Sequence, residues 1–306
     1  MKLGHHRDRL IHKRLRALAE TLPLARTGEP EGVHKARVAT RRLRETLPVV
    51  LGDRVSRKGR RLRRQVRRLT RALGPVREMD VTLGLLGAVT LSHPEGEASL
   101  EAVRQLLEFE RQARWERMVE RLDKFDTGEF AERLDRGLAA WPPGQSERIT
   151  RHGLLAVRIA RRTKALERAV EAAGSLYAPE ALHAVRIAVK KLRYALELAH
   201  DLKLLTSRRP LALLKSVQET LGDLHDRQVL IHYLADMQAR LPAAEREAAD
   251  GLAPVAAALE TECRELHARY VARRERLLQA VAATADVLAA VPRETMDTAP
   301  ATPSVH

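Results

Sequence analysis

The feature that most constrains this chain is a stretch that it uses twice. Residues Pro30 to Arg44, P-E-G-V-H-K-A-R-V-A-T-R-R-L-R, return as Pro179 to Arg193, P-E-A-L-H-A-V-R-I-A-V-K-K-L-R. At 3.6 residues per turn, His34, Arg37, Arg41 and Arg44 fall in one narrow arc, with Ala36, Ala39, Thr40, Leu43 and Leu47 opposite. In the second copy His183, Arg186, Lys190 and Arg193 fall in the same arc, with Val185, Ala188, Val189, Leu192 and Leu196 opposite. Each copy therefore predicts a helix with one core stripe and one cationic stripe. Pro and Glu stand at the expected first turn, where a missing N–H costs nothing and a carboxylate suits the positive helix end. His34 and His183 then lie near helix N-termini.

The repetition extends to the flanks. Ile11, Leu15, Leu18 and Leu22 keep helical spacing and are answered by Ile159, Thr163, Leu166 and Val170; the basic Lys13, Arg14 and Arg16 are answered by Arg161, Arg162 and Lys164. Pro23 and the T-G-E-P turn are expected to end the first helix. A third helix is expected from Arg54 to Arg71, with Leu62, Val66, Leu69 and Leu73 on one face and Arg57, Arg60, Arg64, Arg67, Arg68 and Arg71 on the other. Leu214, Val217 and Leu221 repeat its stripe, and Lys215 matches Arg67. L-G-P-V-R-E at Leu73 to Glu78 is answered by L-G-D-L-H-D at Leu221 to Asp226, and both read as turns before a further helix. His225 and Asp226 then belong to a turn, Asp226 holding backbone or an arginine such as Arg227. Long helices from about Ala98 to Asp123 and from about Ala243 to Val291 complete the two halves. No segment alternates at period two for long enough to be a strand.

The expected fold class is all-α: two helical bundles, residues 1–140 and 148–291, packed about a pseudo-two-fold axis. The breaker-rich W-P-P-G-Q-S segment marks the linker at 141–147, and residues 292–306 read as a disordered tail.

Charge narrows the function. The 306 residues carry 55 Lys plus Arg against 40 Asp plus Glu, a net +15. Between His34 and Arg77 there are 16 basic residues against Glu45 and Asp53, so one hairpin holds nearly all the excess. Such a concentration calls for a polyanion: nucleic acid, anionic membrane or a phosphate polymer. With 3% aromatic residues the chain lacks the material for base-stacking platforms. The lone Cys263 excludes an intrachain disulfide and suits a reducing compartment. The N-terminus has no apolar signal region, and Leu277 to Val291 is too short for a span and carries Asp286. A soluble cytoplasmic protein without membrane association is therefore expected. His5, His6 and His12 read as surface histidines. No Gly-rich phosphate loop, magnesium carboxylate cluster or nucleophile–base pair is found, so no metal, no cofactor and no enzymatic activity are expected.

The pattern H-x-x-R-[VI]-x-x-[RK]-[RK]-x-R, present twice and followed each time by L-G and charged residues, resembles the CHAD domain, the conserved histidine α-helical domain. The likeness covers nearly the whole chain. It implies two four-helix bundles around a basic central cavity and the binding of inorganic polyphosphate, often at polyphosphate granules. By position it implies His34, Arg37, Arg41, Arg44 and Arg67 as ligand-binding residues, with His183, Arg186, Lys190, Arg193 and Lys215. Arg60 and Arg64 extend the set along the third helix, and Arg14, Arg162 and Arg208 are further candidates. Glu78 departs from the family's more usual Asp, a change expected to alter the turn and not the ligand.

Physical chemistry supports the same reading. A phosphate polymer laid across a cationic helix can be met at every turn, about 5.4 Å. Arginine's planar fork donates two parallel hydrogen bonds to phosphate and stays charged. A nearby anion favours protonated His34 and His183, so binding is expected to strengthen as pH falls through the histidine range. A single cationic stripe is ordinarily a solvated face; its recurrence with the histidine in place argues for a site. Two other readings remain open: a binder of nucleic-acid backbone such as structured RNA or another polyanion, and an enzyme on phosphate esters using both histidines. Monomer and homodimer are equally open.

Overall fold

The structure is a computed structural model that describes residues 4–51, 57–89, 94–139, 145–205, 207–240 and 252–289. Among these, every regular element is a helix: α1 Gly4–Arg26, α2 Pro30–Val50, α3 Arg57–Leu86, α4 Pro94–Asp123, α5 Thr127–Ala139, α6 Gln145–Ala173, α7 Pro179–Asp201, α8 Arg209–Arg240 and α9 Ala253–Ala289. Both motif stretches become helices opened by proline, with Glu31 and Glu180 in the first turns. Residues 141–144 of the expected linker and the expected tail at 292–306 lie outside the described residues, and residues 145–147 open α6.

Two expectations about helix ends are corrected. Pro23 does not end α1, which runs on to Arg26; the T-G-E-P turn does end it, and Gly28 makes the corner. Its φ of 81° is a region that L side chains rarely adopt, and a Cβ there would meet the Trp115 indole at 2.8 Å. Trp115 donates from Nε1 to the Arg26 carbonyl at 3.1 Å, so α4 holds the α1–α2 corner.

The two L-G sequences are not turns. α3 runs unbroken through Gly74 and Pro75, and α8 through Gly222 and Asp223. The reason is burial: Leu69, Leu73, Val76, Met79 and Leu86 keep an apolar stripe running through the Gly-Pro pair. Proline removes one hydrogen bond within α3, and the stripe holds the helix together regardless.

Packing repeats in order. α1 lies on α2, α2 on α3 and α3 on α4; then α6 lies on α7, α7 on α8 and α8 on α9. The first core gathers residues of α1, α2, α3, α4 and α5, including Ile11, Leu18, Leu43, Leu62 and Phe130. The second gathers α6, α7, α8 and α9, including Ile159, Leu192, Leu221 and Tyr270. A third core joins the halves: Met79 and Leu86 of α3 and Leu100, Val103 and Leu107 of α4 pack with Leu230 and Leu234 of α8 and Leu252, Val255 and Leu259. The halves thus share a seam of buried apolar side chains.

Polar clasps add to that seam. Arg14 donates from Nη1 to the Arg42 carbonyl at 3.0 Å and from Nη2 to Asp201 of α7 at 2.5 Å. Arg162, at the matching place in the second half, donates from Nη1 to the Lys191 carbonyl at 2.5 Å and from Nη2 to Glu45 of α2 at 2.7 Å. Arg158 reaches the same Glu45 oxygen at 2.9 Å, and the Glu45 side chain is only 7% exposed.

Candidate functional site

The repeated helices α2 and α7 face one another with α3 and α8 beside them, and the four enclose a cleft of about 530 Å³. From α2 it receives His34, Arg37 and Arg41, from α7 Arg186, Lys190 and Arg193, and from α8 Lys215. A second groove of about 860 Å³ lies between α1, α2, α7 and the start of α8 and shares His34, Arg42, Arg193 and Lys215 with the first. Carboxylates line both, Glu31, Glu197 and Asp201 in the larger groove and Glu78, Glu219, Asp223 and Asp226 in the smaller cleft, and the smaller cleft holds more of the motif cations.

The remaining expected residues lie elsewhere. His183 stands at the rim, with its Nδ1 3.2 Å from Nδ1 of His225, which lines the cleft. Arg44 is half-buried within electrostatic reach of Arg41 and Arg67. Arg60, Arg64 and Arg67 stand exposed on the outer face of α3, away from the cleft lining. Arg14 and Arg162 are committed to the carboxylates of Asp201 and Glu45 and act as clasps between halves. Arg208 is exposed on the wall of the second groove, its Nε 3.1 Å from His200 Nε2.

Other cleft residues were hidden by the misread turns. Continuous helix through Gly74 and Gly222 carries Arg77 and His225 onto the cleft wall, together with Glu78 and Asp226. The signal was present: Arg77 and His225 occupy matching places, and Asp226 matches Glu78. Asp226 faces Arg186 at 3.7 Å, while Arg227 pairs with Glu262 on α9. Gly74 serves a close approach: a Cβ there would meet Arg37 Nη1 at 3.0 Å, and Nη1 donates to the Thr70 carbonyl at 3.4 Å.

Cations outnumber carboxylates in the cleft lining. Burial, then Arg41, Arg186 and Arg37, push the Lys190 ammonium down to about 6. Burial, then Arg186, His183 and Lys190, push His225 down to about 4. Burial, then Arg77, lowers His34, and burial, then Arg186, lowers His183. Arg37 is lowered by burial and by Arg41, but a guanidinium stays charged. Nε of Arg41 is buried without a hydrogen-bond partner. Cations gathered at this density repel one another, and an anion entering the cleft relieves that repulsion.

Among the described residues no cluster of three or more His, Cys, Asp or Glu side chains is arranged to hold a metal ion, and no helix is long and apolar enough to cross a membrane.

Comparison with known proteins agrees with the geometry. The CHAD domain from the plant Ricinus communis has a similar fold, with a TM-score of 0.61 at 22% identity over 92% of each chain. PptA from Streptomyces chartreusis gives a TM-score of 0.57 at 15% identity, covering 92% of this chain and 99% of that one. No curated protein matches the chain. The family profile described as CHAD domain matches residues 9–235, a span that includes α2, α3 and α7 whole and α8 almost to its end. A duplicated His–Arg helix, an all-helical fold built around a basic cleft and this profile match together make the chain a member of the CHAD domain family.

Proposed function

We propose that the chain binds inorganic polyphosphate in the cleft between α2, α3, α7 and α8, and serves to target or scaffold at polyphosphate granules, not as an enzyme. One observation carries the reading: Arg37, Arg41 and Arg186 converge, half-buried, around Lys190, with the three guanidinium charges held together and the Arg41 Nε unpartnered. A flexible, densely charged polymer satisfies such an array. The cleft residues His34, Arg37, Arg41, Arg77, Arg186, Lys190, Arg193 and Lys215 form its contacts, with His183 and Arg44 at the margins. Arg60, Arg64 and Arg67 meet a chain long enough to leave the cleft. The protein acts at granules in the cytoplasm, by contacts of charge with phosphate and without membrane attachment.

The test is competition at physiological salt: labelled long-chain polyphosphate on the purified protein, challenged with equal phosphate concentrations of duplex DNA, structured RNA and heparin. Retention of polyphosphate by orders of magnitude supports a shaped site. Equal displacement by RNA or DNA makes the surface a general cationic one and favours the nucleic-acid reading, for which the exposed arginines of α3 are available. The double variant Arg37→Glu and Arg186→Glu is expected to abolish binding with helix content kept. Collapse of the fold instead makes those arginines structural. Release of phosphate from polyphosphate by the purified protein contradicts the binding-only role.

A further inference from the structure

Two of the α7 motif cations are held by carboxylates and their α2 counterparts are not, while Lys190, like its counterpart Arg41, has no ion-pair partner among the described residues. In the second half Arg186 lies 3.7 Å from Asp226, Arg193 is paired with Glu197, and Lys215 lies 3.5 Å from Glu219. In the first half none of Arg37, Arg41 and Arg44 has an ion-pair partner among the described residues. The sequence explains the difference. Pro48 stands where the second half has Glu197, and Arg71 where it has Glu219. Glu78 matches Asp226 and shares the cleft wall, but its carboxylate forms no ion pair with a motif arginine and lies 4.0 Å from Arg114 of α4.

We propose that Asp226, on the cleft wall, and Glu197, in the adjoining groove that shares Arg193 with the cleft, are specificity-determining residues, internal carboxylates that a ligand must displace from Arg186 and Arg193, so that the site selects anions of high charge density. This rests on the polyphosphate reading of the cleft. A carboxylate tethered beside a guanidinium competes with an incoming anion at high effective concentration. A polyphosphate brings a charge on every unit of an unbroken P–O–P chain and can replace both carboxylates at once. A nucleic-acid backbone interposes a sugar between phosphates, brings fewer charges into the same volume and leaves the internal pairs closed. Burial decides which pairs matter. The Arg193 and Glu197 side chains are 15% and 21% exposed, against 65% and 58% for Lys215 and Glu219. A pair as exposed as Lys215–Glu219 is screened and offers little resistance.

The experiment uses the full chain with the double variant Glu197→Gln and Asp226→Asn, whose amides keep the shape and hydrogen-bonding of the acids. Glu262→Gln serves as control, removing a negative charge that pairs with Arg227 outside the cleft. Affinity is measured at fixed salt for long-chain polyphosphate, duplex DNA and structured RNA. The double variant is expected to bind polyphosphate about threefold tighter and the nucleic acids about tenfold tighter or more, so that selectivity falls. Glu262→Gln is expected to shift all three affinities by less than about twofold, without changing their ratio. Wild-type selectivity kept in the double variant, or weaker polyphosphate binding by it, overturns the proposal while leaving the polyphosphate reading intact. Wild-type protein that binds no polyphosphate removes both. Circular dichroism checks the helices; if the double variant loses them, Asp226→Asn alone decides.

Discussion

Lys190 sits where Arg37, Arg41 and Arg186 converge, and its ammonium falls from an ordinary 10.5 to about 6. Between those values the unfolded chain holds a proton that the folded chain has lost, so the free protein gains stability as pH rises through that window. An anion in the cleft restores the proton. Calorimetry near pH 7.5 in buffers of different ionisation enthalpy should therefore show net proton uptake on polyphosphate binding. Lys190→Gln should abolish most of that uptake, weaken binding and raise the melting temperature of the free protein; unchanged uptake sinks the assignment. The histidines act at lower pH. With His225 down to about 4 and His34 and His183 below 6.5, the unfolded chain protonates first as pH falls, and the free protein loses stability from about pH 6.5 downward. The bound anion opposes this, so affinity should rise over the same interval and stay insensitive to the histidines above it. Two glycines at matching places separate packing from binding. Gly222→Ala meets nothing within 4 Å and should stabilise the fold by about 0.5–1 kcal/mol. Gly74→Ala forces Arg37 Nη1 aside and should weaken polyphosphate binding severalfold, with the melting temperature kept.

At the scale of helices, the clasps across the halves are ion pairs whose loss is costly because they are buried. Glu45→Ala leaves Arg158 and Arg162 without their shared carboxylate and should destabilise by about 3–5 kcal/mol, with Glu45→Gln less severe; thermal unfolding measures both. The outer face of α3 differs. Arg60, Arg64 and Arg67 are exposed, so replacing each by Gln should leave stability nearly unchanged and reduce the dependence of polyphosphate affinity on salt by roughly one retained contact apiece, for long chains only. Short chains confined to the cleft should show no such change. The helices themselves were legible in the sequence, since proline at the first turn and the 3.6-residue stripe are local signals. Helix ends were less so. Gly-Pro in α3 is a breaker by local rules, and only the apolar stripe that continues to Leu86, buried against α4 and α8, keeps the helix running.

The whole molecule should unfold as one unit. Met79 and Leu86 pack with Leu230 and Leu234 in a core common to both halves, so calorimetry is expected to find one cooperative transition, and Leu230→Ala to lower it by about 2–5 kcal/mol without splitting it. Two resolved transitions contradict a shared core. The duplicated stretch was enough to determine an all-helical chain, the pairing of a histidine with three cations on each motif helix, and the concentration of charge on which the proposed polyanionic partner rests, because periodicity and charge are properties of residues a few positions apart. Tertiary structure alone decided which cations meet. Arg37 and Arg186 converge because α2 and α7 are brought face to face by packing across more than a hundred residues of sequence. Arg14 and Arg162, alike in charge to the cleft residues, were diverted to Asp201 and Glu45 by the same packing. Whether a cation stays open to a ligand or is closed by a carboxylate depends on which side chains the fold brings within about 4 Å, and distance along the chain carries no record of that.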